Sequence, residues 1–391
     1  MSGTAVEAPA FRPGDKSTRL GAFRPGNFMA KQVGVDKWLY CATLVLVVIG
    51  LAMVFSASAV MARERFDSPY TFLIRQALWA AVGLAVMTVL MQIDYRKYNK
   101  PNVVFPMVGT TIILLLSAFL MRDSHNTHRW IRFGILSFQP SEIAKPALVL
   151  FLAWFLQNRM HAMEDVRKTI LPAALPSLIF IALILKEPDL GTAMVCAGVT
   201  ALMLWLAGMN FKYLGYAALA SVPVLYMMLF RVAWRRDRLL AFLNPESDPL
   251  GKGFHIIQSL IAVGSGGIRG VGYMDGRQKL FYLPEPHTDY IFANVSEELG
   301  LIGALIVVGL FIFIGWRGMR AAILSKDPFA RFVAFGITAT ILIQAFFNIS
   351  VVLALVPTKG ITLPFVSYGG TSLFIMLVLI GVLLNITREV D

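Results

Sequence analysis

Charge is scarce in this chain. Of its 391 residues only 15% are charged and 57% are hydrophobic, a balance that excludes an ordinary soluble domain and marks a polytopic membrane protein. Cysteine is scarcer still. The two present, Cys41 and Cys196, fall inside apolar runs, where each reads as a small hydrophobe and carries no redox or compartment information. The first 37 residues are polar and basic, and they lack the apolar core and small-residue cleavage site of a secretory signal. No cleaved leader is therefore expected, and the first apolar run serves as signal anchor. Acidic residues are also few, 23 against 35 Lys and Arg, for a net charge of +12. The basic residues are spread through short connections instead of forming one face, so they speak for membrane topology and against nucleic acid as a partner.

What the chain has in abundance is apolar runs long enough to cross ~30 Å of hydrocarbon at ~1.5 Å per residue. They fall at 38–60, 72–92, 102–121, 141–157, 170–185, 191–208, 213–230, 291–316, 331–355 and 366–386. The expected fold class is an all-α polytopic membrane protein of about ten transmembrane helices. An even count puts both termini on one side. Basic residues of short loops are retained in the cytoplasm, and the amino-terminal tail shares its side with the connections that carry Arg96, Arg167 and Arg320. Both termini are thus expected in the cytoplasm, and the stretch 231–290 outside it. The domains are a disordered cytoplasmic tail, 1–37, and one transmembrane domain, 38–388. Within the tail the sequence AFRPG at 10–14 recurs at 22–26. This is either drift in an unconstrained segment or an adhesive motif for a cytoplasmic partner.

A polar, basic, glycine-rich connection as long as 231–290 is uncommon without a function. It opens on Arg235, Arg236, Asp237 and Arg238, then has an apolar patch at 256–263, too short to span and expected to lie against the membrane surface. The glycine run 264–272 imitates a nucleotide fingerprint, but no βαβ unit surrounds it. The stretch ends in LPEPHTDY, 283–290, where Asp289 stands at the foot of the next span. A carboxylate there, with water on one side and an apolar wall on the other, serves equally well as general base or as helix cap.

Other polar residues gather near the ends of spans. Arg122, Asp123, His125, His128, Arg129 and Arg132 follow the third span; His125 and His128 have no third ligand beside them, which argues against zinc. Glu142 and Lys145, three apart on the fourth span, share a helix face and can pair. An intramembrane Lys145 needs a partner or a cavity, so the pair is either a helix-fixing bridge or a substrate contact. The connection 186–192 reads as a tight turn with Asp189 near the start of the next helix. In 357–372 two prolines and a glycine pair impose an irregular backbone, tolerated between spans only where it lines a cavity or packs in protein. Lys359 there is a mobile cation suited to a phosphate.

The segments QPSEIAK (139–145), KEPDLGTA (186–193), LPEPHTDYIFA (283–293), EELGLIG (297–303) and PTKGITLPFVSYGGTS (357–372) together resemble the shape, elongation, division and sporulation (SEDS) family of bacterial membrane proteins. The likeness covers residues 36 to 388, in matching order and spacing, and the last motif is closer to the cell-division branch than to the elongation branch. It implies a peptidoglycan glycosyltransferase that polymerises lipid II, with Asp289, the acidic residue of the HTD motif, as the catalytic base. Arg75, Arg129, Arg132, Lys145 and Lys359 are then the candidate cations for the pyrophosphate, and Glu142, His287 and Ser367 join the implied substrate-binding set. His255 stands where the family commonly has Gln, Tyr290 replaces Phe, and Thr371 replaces a frequent Ser.

The implied partners are a class B penicillin-binding protein, a transpeptidase, with other membrane proteins of the division machinery, at the septum of the cytoplasmic (inner) membrane. No resident cofactor is called for, and a divalent cation, Mg or Mn, held loosely on the pyrophosphate stays open. Two competing functions are a lipid II flippase, which needs ionisable residues near the midplane, and a non-catalytic scaffold for the transpeptidase, which leaves Asp289 dispensable.

Overall fold

The computed structural model describes residues 34–389 apart from 121–128, 134–135 and 232. The AFRPG repeat, Arg122, Asp123, His125 and His128 lie outside the described residues. In chain order the helices are α1 Lys37–Phe66, α2 Thr71–Leu90, α3 Pro101–Ala118, α4 Pro140–Leu156, α5 Leu171–Lys186, α6 Leu190–Leu206, α7 Phe211–Phe230, α8 Ala233–Leu243, α9 Phe254–Ser265, α10 Ile291–Leu324, α11 Pro328–Val352 and α12 Gly370–Thr387. Each expected apolar run is helical over most of its length, the last starting only at Gly370. Seven of these helices, α1, α2, α3, α5 with its preceding turn, α10, α11 and α12, are long and apolar enough to cross a membrane. The centre of the bundle is α11, packed on α4, α6 and α10, with α12 against α2.

Local chemistry starts and breaks the helices. Asp36 caps α1 by accepting from the Trp38 and Leu39 backbone N–H groups, and its other oxygen takes Arg317 Nε of α10 at 2.6 Å. One carboxylate thereby satisfies a helix start and neutralises a buried guanidinium. Near its other end α10 breaks at Gly300, whose φ of 65° and ψ of −167° no helix contains.

The all-α class holds, apart from a short antiparallel hairpin, β1 Ile131–Phe133 with β2 Leu136–Phe138, in which Ile131 faces Phe138; runs this short carry no periodicity to read. One expectation changes. The apolar patch 256–263 forms most of α9 and lies only partly on the outside: Ile256, Ser259 and Ala262 are buried as α9 packs on α10 and α11. Ser259 Oγ donates to the Val352 carbonyl at 2.8 Å. The three-residue spacing of the buried positions gives α9 one face for protein, leaving Leu260 and Ile261 on the other.

The glycine run fits flat against the break in α10. Val271 and Gly272 N–H donate to the Glu297 and Glu298 carbonyls at 3.0 and 3.1 Å, while Leu301 and Ile302 N–H donate to the Gly267 and Ile268 carbonyls at 2.9 and 3.2 Å. These bonds satisfy groups that the break leaves without helical partners. Gly270 has a φ of 82°, and a Cβ there would collide with the Glu298 carbonyl. Gly266 and Gly270 therefore serve the close approach of the strap to the α10 backbone.

Side chains clamp the same strap. Glu298, fully buried, accepts from Lys279 Nζ at 2.8 Å, from Ser56 Oγ of α1 at 2.6 Å and from the Met274 N–H at 3.0 Å. Its neighbour Glu297 accepts from the Arg277 N–H at 2.8 Å. Removing Lys279 leaves a buried carboxylate uncompensated, a loss of about 3–5 kcal/mol. Lys279→Met is expected to lower the melting temperature of the detergent-purified protein clearly, and adding Glu298→Gln to recover most of that loss in the same thermal scan.

Candidate active site

A cavity of about 380 Å³ lies where the N-terminal ends of α4 and α6 meet the C-terminal end of α11, walled by α2, the hairpin and the connection 353–369. Its floor is polar. Lys145 Nζ sits 2.7 Å from Glu142 and 2.7 Å from Gln344 Oε1, and Gln344 Nε2 donates to the Thr362 carbonyl at 3.0 Å. The three-residue spacing of Glu142 and Lys145 forms the bridge, and the amine also faces the cavity.

Asp189 caps α6 through the Thr192 N–H at 3.0 Å, and its second oxygen accepts from Thr192 Oγ1 at 2.8 Å and Gln139 Nε2 at 3.0 Å. The capped turn expected at 186–192 is present, and it doubles as cavity wall. Arg129 holds that turn from outside, with Nε donating to the Glu187 carbonyl at 2.8 Å and Nη2 donating to the Pro188 carbonyl. Burial, then Asp189, push the enclosed Glu187 carboxyl up to about 8, against the pull of Arg129.

Asp289 faces the cavity across from these cations. Its carboxylate caps nothing, because the N-cap position of α10 is Tyr290 and no side chain bonds there. No hydrogen bond from the described residues reaches it. Burial, then Glu285, raise its pKa to about 7, while Arg238 and Arg129 act in the opposite direction. The carboxylate is held in place through its backbone: Asn348 Nδ2 of α11 donates to the Asp289 carbonyl at 2.8 Å and to the Ile361 carbonyl at 2.7 Å. One amide thus ties the HTD segment to the PTKG segment.

Arg75, Arg129, Glu142, Lys145 and Asp289 all line the cavity. Arg132 belongs to β1, and its side chain lies outside the described residues. Three other expected contacts stand behind the wall. His287 is buried between Phe72 and Tyr368, with ring centroids at 4.8 and 5.5 Å, and packing there lowers its pKa. Ser367 Oγ donates to the Thr288 carbonyl at 2.6 Å and accepts from the Leu363 N–H at 2.8 Å, so it braces two connections. Lys359 Nζ lies 2.8 Å from Met194 Sδ, and burial, then Arg235, lower it to about 8. His255 stacks on Tyr290 at 6.3 Å, which gives that position a packing role.

Gln344 and Asn348, one turn apart on α11, are functional positions the sequence reading passed over. Their signal was two amides at i and i+4 in an otherwise apolar helix. Gln139, at the head of the QPSEIAK motif, Trp79 and Trp130 also line the cavity. Asn348→Leu strands two carbonyls, at a cost of about 1–3 kcal/mol each if both stay buried. The variant is expected to show faster hydrogen exchange and proteolysis within 353–369 than the parent, with the distant Asp36–Arg317 end unaffected.

Comparison with known proteins gives a consistent assignment. Residues 37–391 match the family described as cell cycle protein, FtsW/RodA/SpoVE. A protein of Geobacter metallireducens called probable peptidoglycan glycosyltransferase FtsW is 43% identical over 357 residues, covering 90% of this chain and 95% of its own. Stage V sporulation protein E of Bacillus subtilis is 42% identical over 363 residues, covering 92% and 98%. Among solved structures, a chain of a peptidoglycan synthase complex that coordinates polymerization and crosslinking aligns with a TM-score of 0.75 at 27% identity, over 92% of this chain and 99% of that one. RodA of Thermus thermophilus aligns with a TM-score of 0.67 at 25% identity, over 92% and 98%. The capped turn, the clamped strap and the cavity carboxylate therefore belong to a member of the FtsW/RodA/SpoVE family of cell cycle proteins, a multi-pass membrane protein.

Proposed function

We propose that this protein is a peptidoglycan glycosyltransferase that polymerises lipid II during bacterial cell division. The observation that carries the reading is Asp289: a cavity carboxylate without a hydrogen-bond partner among the described residues, poised at about 7 and facing Arg75, Arg129 and Lys145. In the proposed step Asp289 takes the proton from the 4-hydroxyl of the incoming N-acetylglucosamine as that oxygen bonds to the anomeric carbon of the growing strand. The bond from that carbon to the pyrophosphate breaks, the configuration inverts, and the lipid pyrophosphate departs towards the cavity cations. Arg129 and Lys145 already have protein partners, so they act as a preorganised field more than as mobile clamps.

The described residues hold no group of three His, Cys, Asp or Glu side chains arranged for a metal ion. Asp189 and Glu142 are committed to Thr192, Gln139 and Lys145. The donor set among the described residues does not fit a resident divalent ion. A transport function would call for ionisable groups near mid-membrane; the cavity's charges instead cluster at one end of the bundle, a distribution that favours polymerisation. In this reading the cavity opens on the extracytoplasmic face of the cytoplasmic membrane, with both termini inside. A class B penicillin-binding protein at the septum receives the glycan.

With lipid II and a partner transpeptidase supplied, wild-type protein is expected to yield glycan polymer and Asp289→Asn to lose about 10²- to 10⁴-fold in rate, the worth of a positioned base. Wild-type polymer yields from the mutant would overturn the base assignment. A pH profile adds a second test. Below about 7 the Asp289 carboxyl is protonated and cannot accept a proton, so the initial rate is expected to climb as pH rises through that value and then level. A rate independent of pH across that range would count against the base assignment.

A further inference from the structure

The strap between α9 and Asp289 combines an irregular backbone with outward apolar side chains. Ile268 is 69% exposed, Phe281 54% and Tyr282 55%, and Val271 and Tyr273 are exposed beside them. Met274 and Phe281 hold positive φ values of 69° and 66°, a conformation that costs a side-chain-bearing residue of order 1–3 kcal/mol. A water-facing loop has no reason to accept that cost in order to display a phenylalanine. Its inward polar groups are meanwhile consumed by α10, through the backbone ladder and the Glu297 and Glu298 carboxylates.

Helix geometry gives the depth. Along α1, exposed charge stops at Lys37 and resumes at Arg63, 26 residues or about 39 Å apart at ~1.5 Å per residue. A hydrocarbon slab of ~30 Å placed anywhere between those limits includes every level from about 9 to about 30 Å above Lys37. Tyr273 OH donates to the Ala52 carbonyl at 2.9 Å, and Ala52 is 15 residues, or about 22 Å, up the helix. Ser56, which Lys279 reaches at 2.9 Å, stands at about 28 Å. Any tilt of α1 lowers both levels further. On the neighbouring helix the strap's carbonyls bond Leu301 and Ile302, themselves 53% and 50% exposed, as are Leu305 and Ile306 below them at 59% and 52%. The apolar face of the strap is continuous with the lipid-facing side of α10.

We propose that residues 268–282 form a re-entrant strap seated in the hydrocarbon of one leaflet, with lipid acyl chains as the occupant of its exposed face. Irregular backbone at that depth is tolerated because protein satisfies its polar groups, and here α10 does so. Arg269, Asp275 and Arg277 are exposed among the apolar residues, and their polar ends reach towards the headgroups. Because the strap runs directly into Pro284–Asp289, a lipid-seated strap fixes the cavity carboxylate at the level where a membrane-anchored substrate presents its head.

The test uses the full chain alone in vesicles of phosphatidylethanolamine and phosphatidylglycerol. With Cys41→Ala to remove the exposed thiol and the buried Cys196 retained, nitroxide labels are placed singly through Ile268→Cys, Phe281→Cys, Leu305→Cys as a lipid reference and Asp248→Cys as a water reference. Labels at 268 and 281 are expected to collide with oxygen several-fold more than with a water-soluble nickel chelate, as at 305. Preference for the chelate, as at 248, overturns the proposal. Shielding from both reagents overturns it too, by showing a second copy of the chain on that face. Should a labelled variant misfold, the unmodified chain is illuminated in bilayers carrying a diazirine on the acyl chain. Carbene adducts within 268–282 are expected, and adducts on α10 with none in the strap reject the proposal.

Discussion

Polar groups inside hydrocarbon have to find their partners within the protein, and much of this architecture answers that constraint. The break at Gly300 interrupts the backbone ladder of α10, and the strap's own N–H and carbonyl groups complete it. Glu298 brings a charge into the same place and is met by an ammonium and an amide N–H from the strap and a hydroxyl from α1. At the opposite end of α10 the Asp36 carboxylate solves the equivalent problem, one oxygen meeting Arg317 and the other starting α1. The long helix is thus secured at both ends by buried charges that are paired where they stand.

That rigidity is what the cavity needs. The proposed base is useful only if its position does not drift, and the Asp289 carboxylate receives no hydrogen bond from the described residues that would also quench it. Its backbone is anchored by Asn348 instead, while the preceding residues wedge His287 among Phe72 and Tyr368. The carboxylate stays free to change its proton because its support comes from carbonyl bonds and ring packing. Burial raises its proton affinity, and the nearby guanidinium groups keep that rise moderate. The opposing influences leave it near neutrality, where a base both exists in its charged form and holds a proton usefully.

The remaining connection, 353–369, takes its shape from α11 and α2. Gln344 and Asn348 bond its carbonyls from one side, and Gln76 bonds the Ser367 carbonyl at 3.0 Å and the Gly369 N–H at 3.2 Å from the other. Uncharged amides suit this work, since each supplies both a donor and an acceptor and none carries a charge to be desolvated. The irregular loop becomes a fixed wall, and Lys359 is drawn behind it onto Met194.

The apolar runs were legible in the sequence because crossing hydrocarbon is a property of composition and length, read locally; the cap at Asp189 and the pair Glu142–Lys145 were legible because their partners lie three residues away. Asp289 was visible as a motif, but its own residues left base and cap balanced, and only the placement of Tyr290 at the helix start removed the cap. Tertiary structure alone decided that the glycine run serves α10, since Gly270 meets Glu298 across an intervening loop. It also decided that His287, Ser367 and Lys359 stand behind the cavity wall while Gln344 and Asn348 reach the segments that form it. Sequence spacing determines which side chains share a turn or a helix face. Which of them faces a cavity depends on segments far apart in the chain, as with Lys145 and Gln344, and is set by the packing that satisfies the most buried polar groups at once.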